Sequence, residues 1–277
     1  MRKIVYILSS AHSGSTPLSL VLANHPKILA LGEIYTWLSK GRFHENYEDP
    51  EQPCSCGKTM AKCDFWKDYQ DFHKKHRYDG FLFKYKEVMS LVQEKYGEDT
   101  IIVDASKETL PLAEISKLPN VDIKVIFLLK DLRNLVVSRR EKRKRIGRRT
   151  RLAIIDVLRW FRANQKLKKF LENGNYNFFQ VGYEEVCLYP RYILPKICNF
   201  IGIEFREEML KPAENERAHY AAGNRMRYQK DKKQGIFYDN RWFKDWPVNF
   251  ALSLLYPIFK WNEENVYKNT KDYLWNK

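Results

Sequence analysis

An α/β fold with a central parallel sheet flanked by helices is predicted by three features of this 277-residue chain. The first is a short apolar, β-rich run, Lys3 to Leu8, which stops abruptly in the polar loop Ser-Ser-Ala-His-Ser-Gly-Ser-Thr. The second is a set of similar runs at Thr100 to Val103, Ile123 to Leu129 and Asn177 to Val181. The third is the spacing between them, which leaves room for a helical crossover each time. Strands buried on both faces and alternating with helices describe a parallel sheet.

The opening unit reads as strand, tight loop, helix. Pro17 suits the first helical turn, where its missing N–H costs nothing, and Leu18, Val21 and Leu22 follow at helical spacing. Longer helical patterns cover Gly80 to Tyr96, Leu132 to Lys144, Leu152 to Glu172 and Arg191 to Ile201. Val248 to Phe259 reads as a packed or peripheral helix, too interrupted by Asn249, Ser253 and Pro257 to cross a bilayer. The segment from Phe43 to Arg77 is expected to be an insertion, irregular and Cys-rich over Phe43 to Cys63. Asn215 to Asn240 is polar and loop-like, punctuated by Gly223 and Gly235. With no internal repeat and no low-complexity linker, residues 1–277 are expected to form a single domain.

The chain carries 49 Lys and Arg against 34 Asp and Glu, a net charge of +15. That balance favours acidic partners, such as nucleotides, polyanions, nucleic acid or a membrane surface, without choosing among them. The N-terminus has too short an apolar run for a signal peptide, no segment has the apolar length of a membrane span, and five cysteines do not make a disulfide scaffold. A soluble cytoplasmic protein is the expectation.

The loop after the first strand is the strongest functional signal. A glycine-containing turn at a helix N-terminus offers unpaired N–H groups and the positive end of the helix dipole, so its natural ligand is an anion. Ser13, Ser15 and Thr16 add hydroxyls, and Gly14 allows close backbone approach. The same residue types also make an ordinary helix cap. The nucleoside-triphosphate loop Gly-x-x-x-x-Gly-Lys-[Ser/Thr] does not fit, because Ser9 replaces its first glycine and Ser15 its lysine. Without the lysine that touches the β and γ phosphates, a triphosphate ligand is disfavoured. An ATP-dependent small-molecule kinase on a related fold is kept as the alternative.

The run His12-Ser13-Gly14-Ser15-Thr16 resembles the 5′-phosphosulfate loop of sulfotransferases that use 3′-phosphoadenosine 5′-phosphosulfate (PAPS), particularly the bacterial members. The family usually places Arg or Lys where this chain has His12, whose charge depends on pH. A second stretch, Leu128-Leu-Lys-Asp-Leu-Arg-Asn-Leu-Val-Val-Ser138, resembles the family's 3′-phosphate motif. Lys130, Arg133 and Ser138 match its two basic residues and its serine. Lysine in place of arginine keeps the charge and loses the bidentate fork. Tyr183, in Gly-Tyr-Glu-Glu-Val, matches a tyrosine that contacts the adenine, and the stretch from Pro190 to Phe205 resembles the helix that follows it. Gly223, Asn224, Arg225 and Arg227 resemble a late loop that closes over the co-substrate. The resemblance implies a P-loop-like sulfotransferase fold. It also implies transfer of a sulfuryl group from PAPS to an acceptor hydroxyl, with release of 3′,5′-bisphosphate (PAP) and no obligatory metal.

Such transfer needs positioning, charge stabilisation and a base for the acceptor proton. Glu33 is the candidate base, because a glutamate at the matching distance from the loop has that role in tyrosylprotein sulfotransferases; it also suits a plain surface or capping residue. Lys107, which follows the strand Thr100 to Val103, matches the family's lysine that faces the sulfuryl group. His12 would share that role if protonated.

Other features are read more plainly. Cys54, Cys56 and Cys63 belong to a Cys-rich segment similar to one common in bacterial members. They could join His73 or His76 around zinc, but the spacing is not that of a standard module. Reduced thiols or a local disulfide are expected, and no metal is assigned. Arg139 to Arg151 holds nine basic residues against one Glu. It lacks interleaved aromatics and any nucleic-acid module, so it reads as an attracting surface for PAPS or an anionic acceptor, or as a solvated helix face. Sequence-independent nucleic-acid binding is its rival reading. Carbohydrate, lipid, tyrosyl and small-molecule acceptors all remain open. Phe43, Tyr47, Phe65 and Trp66 could stack on a sugar or phenol, or fill the core.

Overall fold

A computed structural model describes residues 1–39, 51–211, 217–223, 238, 240–271 and 273. Five strands form one parallel sheet flanked by helices: β1 (Arg2–Ser9), β2 (Ile28–Gly32), β3 (Ile101–Lys107), β4 (Val121–Leu129) and β5 (Phe178–Gly182). Their order is β2-β3-β1-β4-β5, so the first strand of the chain is the middle strand of the sheet. That position explains its composition. Ile4, Val5, Tyr6, Ile7 and Leu8 are all fully buried, and a strand covered on both faces has no reason to alternate with polar residues.

The four strands read from the sequence all form, two with wider bounds and two displaced toward the C-terminus, β3 running on from Ile101 to Lys107 and β5 shifted by one residue. The strand β2, Ile-Leu-Ala-Leu-Gly, was not anticipated as a strand. It pairs in parallel with β3, Ile28 against Ile101 and Ala30 against Val103, and the register slips between Ala30 and Gly32. Gly32 has φ 71°, and a Cβ there would lie 2.8 Å from the Tyr220 ring and 2.9 Å from the Ala222 carbonyl oxygen. The glycine thus admits the segment around Tyr220, which runs along the outer side of β2. There the Ala30 N–H donates to the Arg217 carbonyl at 2.9 Å, and the His219 N–H to the Ala30 carbonyl at 2.8 Å.

The helices are α1 (Ser15–Leu22), α2 (Ile34–Leu38), α3 (Gln70–Lys75), α4 (Phe81–Tyr96), α5 (Thr109–Ile115), α6 (Leu132–Arg145), α7 (Ala153–Asn173), α8 (Tyr183–Leu188), α9 (Pro190–Ile201), α10 (Trp246–Leu254) and α11 (Tyr256–Val266). The single C-terminal helix expected from Val248 to Phe259 is two. Leu255 leaves helical geometry at φ −115° and ψ 42°, and the proline that follows belongs to the first turn of α11. No helix among the described residues is long and apolar enough to cross a membrane.

The chain divides into two compact units: Met1–Ile7, Thr16–Val125 and Phe205–Gly235 make the first, and Leu8–Ser15, Ile126–Glu204 and Ile236–Lys277 the second. In the first, the supposedly irregular insertion is partly ordered by aromatic packing. Phe65 and Trp66 are fully buried, and Trp37 packs on Trp66 at 4.5 Å between ring centroids. These two aromatics are therefore core residues and not an acceptor surface; Phe43 and Tyr47 lie outside the described residues. In the second unit, α7 packs on α6 and α10, and its buried Trp160 meets Trp261 edge to face at 5.4 Å.

Candidate active site

The second unit contains the carboxyl ends of β1 and β4, and the two segments that resemble phosphate motifs leave from them. After Ser9 the chain turns sharply: the Ser13 N–H donates to the Ser10 carbonyl at 3.3 Å, and the two hydroxyls are 2.8 Å apart. His12 has φ 71° and Gly14 φ 88°, two excursions either side of Ser13 that bend the loop back on itself. Gly14 is required for a second reason. A Cβ at this position would lie 2.2, 2.5 and 2.8 Å from three atoms of the Tyr183 ring. Tyr183, the first residue of α8, therefore lies directly on the glycine of the loop. The Lys130 ammonium, in turn, sits 5.3 Å from the centroid of that ring. Lys130 is only 8% exposed, and the aromatic face offsets part of the cost of burying its cation. The Trp160 indole N–H donates to the Lys130 carbonyl at 3.0 Å and fixes the end of β4.

Two cations of α6 lie beside position 12, where the resemblance implies a permanent charge. The Lys142 ammonium donates to His12 Nε2 at 3.3 Å, and an Arg139 N–H reaches the Ala11 carbonyl at 3.5 Å. Both come from α6, so the first turns of the basic run face the loop. Farther along, Arg140 donates to the Arg151 carbonyl at 2.7 Å and lies 3.6 Å from the Asp245 carboxylate. Ser138 is half-buried on the same helix.

Arg133, the second basic residue of the stretch after β4, is ion-paired with Asp131 and Glu263. Asp131 caps α6, accepting from the Arg133 backbone N–H and Nε at 2.8 Å each and from Nη2. Nη2 also donates to Glu263 at 2.9 Å, and the guanidinium lies 4.6 Å from the Trp242 ring centroid. Burial alone would raise the Asp131 pKa, but its hydrogen bonds and ion pair with Arg133, together with Asn262, hold it below the usual carboxylate range. Asn262 and Tyr267 each donate to Asp131 Oδ2 at 3.0 Å, and the Leu132 N–H donates to Asn262 Oδ1 at 2.9 Å. From below, Glu184 accepts from the Asp131 N–H and from Asn134, both at 2.8 Å. Burial, followed by the Asp131 charge, pushes the Glu184 pKa up to about 7. This network makes the turn after β4 rigid. Its long-range hydrogen bonds join residues 50 to 136 positions apart in sequence, and no local pattern announces them.

The first unit contains the ends of β2 and β3, which carry the candidate acid–base pair. Glu33 follows β2 and Lys107 ends β3, and the Lys107 ammonium donates to Glu33 Oε1. Lys107 has φ 70°, so the strand ends in a left-handed residue that turns its side chain toward the pair. The Glu33 N–H donates to the Ala222 carbonyl at 3.4 Å, and the Tyr35 N–H to the Ser106 hydroxyl at 3.0 Å. Behind them lies Asp104, fully buried, accepting from the Ser106 N–H at 2.9 Å and from the Tyr85 hydroxyl at 3.2 Å. Burial drives its pKa up to about 7 against the hydrogen bonds from Ser106 and Tyr85. Thr16 is buried in α1. Gly223 closes the Tyr220 segment at φ 127°; Asn224, Arg225 and Arg227 lie outside the described residues.

The zinc partners considered from the sequence are otherwise engaged. His73 stacks on Trp37 at 4.4 Å, with its pKa pushed down to about 4 by burial and then by Lys84 and Arg77. His76 pairs with Asp79 at 2.6 Å. The imidazole beside the three cysteines is that of His219.

Residues 5–207 match the model of the sulfotransferase family. Among solved structures, the sulfotransferase domain of the olefin synthase from Synechococcus PCC 7002 is 19% identical, with a TM-score of 0.52 over 92% of this chain and 94% of that one. The sulfotransferase domain from the curacin biosynthetic pathway is 21% identical, with a TM-score of 0.49 over 92% and 98%. A sulfotransferase from Alicyclobacillus acidocaldarius is 12% identical, with a TM-score of 0.44 over 94% and 96%. The first of these likenesses shows the fold alone, and a search of curated protein sequences found no significant match. The family match spans most of the sequence, including the loop after β1, Glu33, Lys107 and the turn after β4, and on it the chain belongs to the sulfotransferase family.

Proposed function

We propose that the protein transfers the sulfuryl group of PAPS to an acceptor hydroxyl and releases PAP. The observation that carries this reading is the stack of Gly14, the Tyr183 ring and the Lys130 ammonium. A glycine turn at a helix N-terminus, an aromatic face and a buried cation suit a nucleotide with phosphates at both ends of its ribose. Ser13, Gly14, Ser15 and Thr16 would hold the 5′-phosphosulfate end, with Lys142 and Arg139 adding positive charge beside His12. Lys130 and Ser138 would hold the 3′-phosphate. Arg133 acts in this reading through Asp131, keeping the turn in shape.

The Glu33 carboxylate takes the acceptor's proton as the acceptor oxygen bonds to sulfur. The bond from sulfur to the 5′-phosphate oxygen breaks, and its electron pair stays with PAP. The Lys107 ammonium stabilises the charge that develops on that oxygen. Neither group needs a metal for this step. Asp104 and Ser106 fix the end of β3, and the Ala222 carbonyl fixes the backbone at Glu33. The test is calorimetric titration with PAP and with ATP, followed by transfer of labelled sulfate from PAPS to a panel of glycans, phenols, lipids and peptides. Micromolar PAP binding with transfer to one class supports the reading. Magnesium-dependent γ-phosphate transfer from ATP, or salt-sensitive DNA binding without PAP binding, overturns it.

A further inference from the structure

We propose that Cys54, Cys56, Cys63 and His219 form a structural zinc site that staples the Cys-rich segment to the strand-like segment beside β2. Their ligand atoms, three sulfurs and one ring nitrogen, all lie within 4.8 Å of one another. Cys63 Sγ is 3.6 Å from Cys54 Sγ and 3.3 Å from His219 Nδ1. A tetrahedral zinc with bonds of about 2.3 Å to sulfur and about 2.0 Å to nitrogen needs edges of about 3.8 Å and about 3.5 Å. The Cys63–Cys54 and Cys63–His219 edges already have nearly those dimensions. All five cysteines of the chain are free thiols, and the Cys54–Cys63 separation is far longer than the roughly 2.05 Å of a disulfide.

The surroundings are those of a metal site. Cys54, Cys63 and His219 are buried and Cys56 half-buried. The Cys54 N–H donates to the Lys58 carbonyl at 2.8 Å, and the Gly57 N–H to the Cys54 carbonyl at 3.1 Å. Gly57, at φ 90°, closes this tight knuckle and brings Cys54 and Cys56 to one side. The Trp66 N–H points at Cys63 Sγ from 3.5 Å, as backbone donors do toward a thiolate. On the far edge of the imidazole, Tyr96 Oη lies 3.0 Å from Nε2. With Nε2–H donating to that oxygen, the Nδ1 lone pair is left facing the sulfurs, the arrangement that orients a ligating histidine. Three thiolates and one imidazole, with no side left for water, select a soft tetrahedral ion in a structural role.

Cross-links from the same knuckle show what the metal would hold. The Ser55 hydroxyl donates to the Ala218 carbonyl at 2.6 Å and accepts from the Tyr220 N–H at 2.8 Å. Trp66 Nε1 donates to the His219 carbonyl at 2.7 Å. The stapled segment continues to Ala222, whose carbonyl accepts the Glu33 N–H, so the zinc would steady the backbone at Glu33 from outside the reaction.

The full chain, purified under reducing conditions without chelator, should contain about one zinc by plasma mass spectrometry. After mercurial release and chelation, cobalt(II) added to the reduced protein should give the intense visible bands of a tetrahedral ion and a thiolate charge-transfer band. Cys56→Ser and Cys63→Ser should lose at least about tenfold in bound zinc, whereas Cys187→Ser and Cys198→Ser keep it. Tyr96→Phe should weaken zinc affinity about tenfold while leaving the ligands in place. The cobalt spectrum of the wild-type protein decides the matter if the cysteine variants fail to fold. Folded wild-type protein without metal, cobalt bands of octahedral intensity, iron in place of zinc, or a Cys54–Cys63 disulfide in a non-reducing peptide map would each overturn the proposal. None of these outcomes depends on PAPS.

Discussion

Replacing Gly14 by alanine probes the donor loop most directly. Two costs add. A left-handed backbone costs an alanine roughly 1 kcal/mol, and φ at this residue is 88°. The new methyl carbon would also lie 2.2 Å from the Tyr183 ring, so the ring or the loop must move, at roughly 2 kcal/mol for overpacking of this kind. Together they amount to about 3 kcal/mol, or on the order of a hundredfold in Kd where the loop must regain its shape to bind. The cost divides between folding and binding, so both are needed: PAP titration by calorimetry and unfolding in urea. In a Tyr183→Ala background the steric part disappears, and the same Gly14→Ala change should cost only about 1 kcal/mol. The two substitutions should therefore be strongly non-additive. An unchanged PAP affinity and stability in Gly14→Ala, or strict additivity in the cycle, would refute the placement of Tyr183 on the loop.

Three other outcomes are expected. Glu33→Ala and Lys107→Ala should each abolish sulfuryl transfer while sparing PAP affinity to within a few-fold; near-normal turnover in both would remove the pair from the chemistry. Lys142→Ala should weaken PAP binding several-fold at low ionic strength, with the difference closing in high salt as screening replaces the lost charge; an effect independent of salt would argue for a packing role. Asp104 makes stability depend on pH in a set direction. Burial raises its folded pKa from the usual 3.8 to about 7, so its neutral form is the favoured one in the fold. Its contribution is therefore complete below about pH 4 and is lost as the pH rises through about 7, by roughly 4 kcal/mol at most. Asp104→Asn should flatten that decline in unfolding free energy; an unaltered slope would mean that the carboxylate is ionised in the fold throughout.

Much of the architecture could be read from the chain because the sheet is buried on both faces. Its strands are then continuous apolar runs, and the loop after β1 breaks such a run with small polar residues. The strand β2 escaped for the same reason in reverse. Five buried residues with no alternation cannot be told from the end of a helix, and only pairing with β3 decides the matter. The acid–base candidates were legible through resemblance, whereas the ion pair between them comes from two strand ends 74 residues apart. Arg133 matches a phosphate ligand through its spacing from Lys130. The carboxylates of Asp131 and Glu263 that hold it are visible only in three dimensions. Local spacing likewise pointed from the cysteines to His73 and His76, whereas the imidazole beside them belongs to a residue 156 positions from Cys63.

The clasp around Asp131 also bears on how the protein is made. Its partners Asn262, Glu263 and Tyr267 are translated 130 to 136 residues after the turn that they complete. Until α11 has emerged, the Leu132 N–H lacks its acceptor and the Asp131 carboxylate keeps only Arg133. At an elongation rate of about 5–20 residues per second, the nascent chain spends several seconds in that state. Completion of this turn therefore waits on the later emergence of α11, and a chain stalled or truncated before Asn262 would be expected to present an incomplete turn to chaperones.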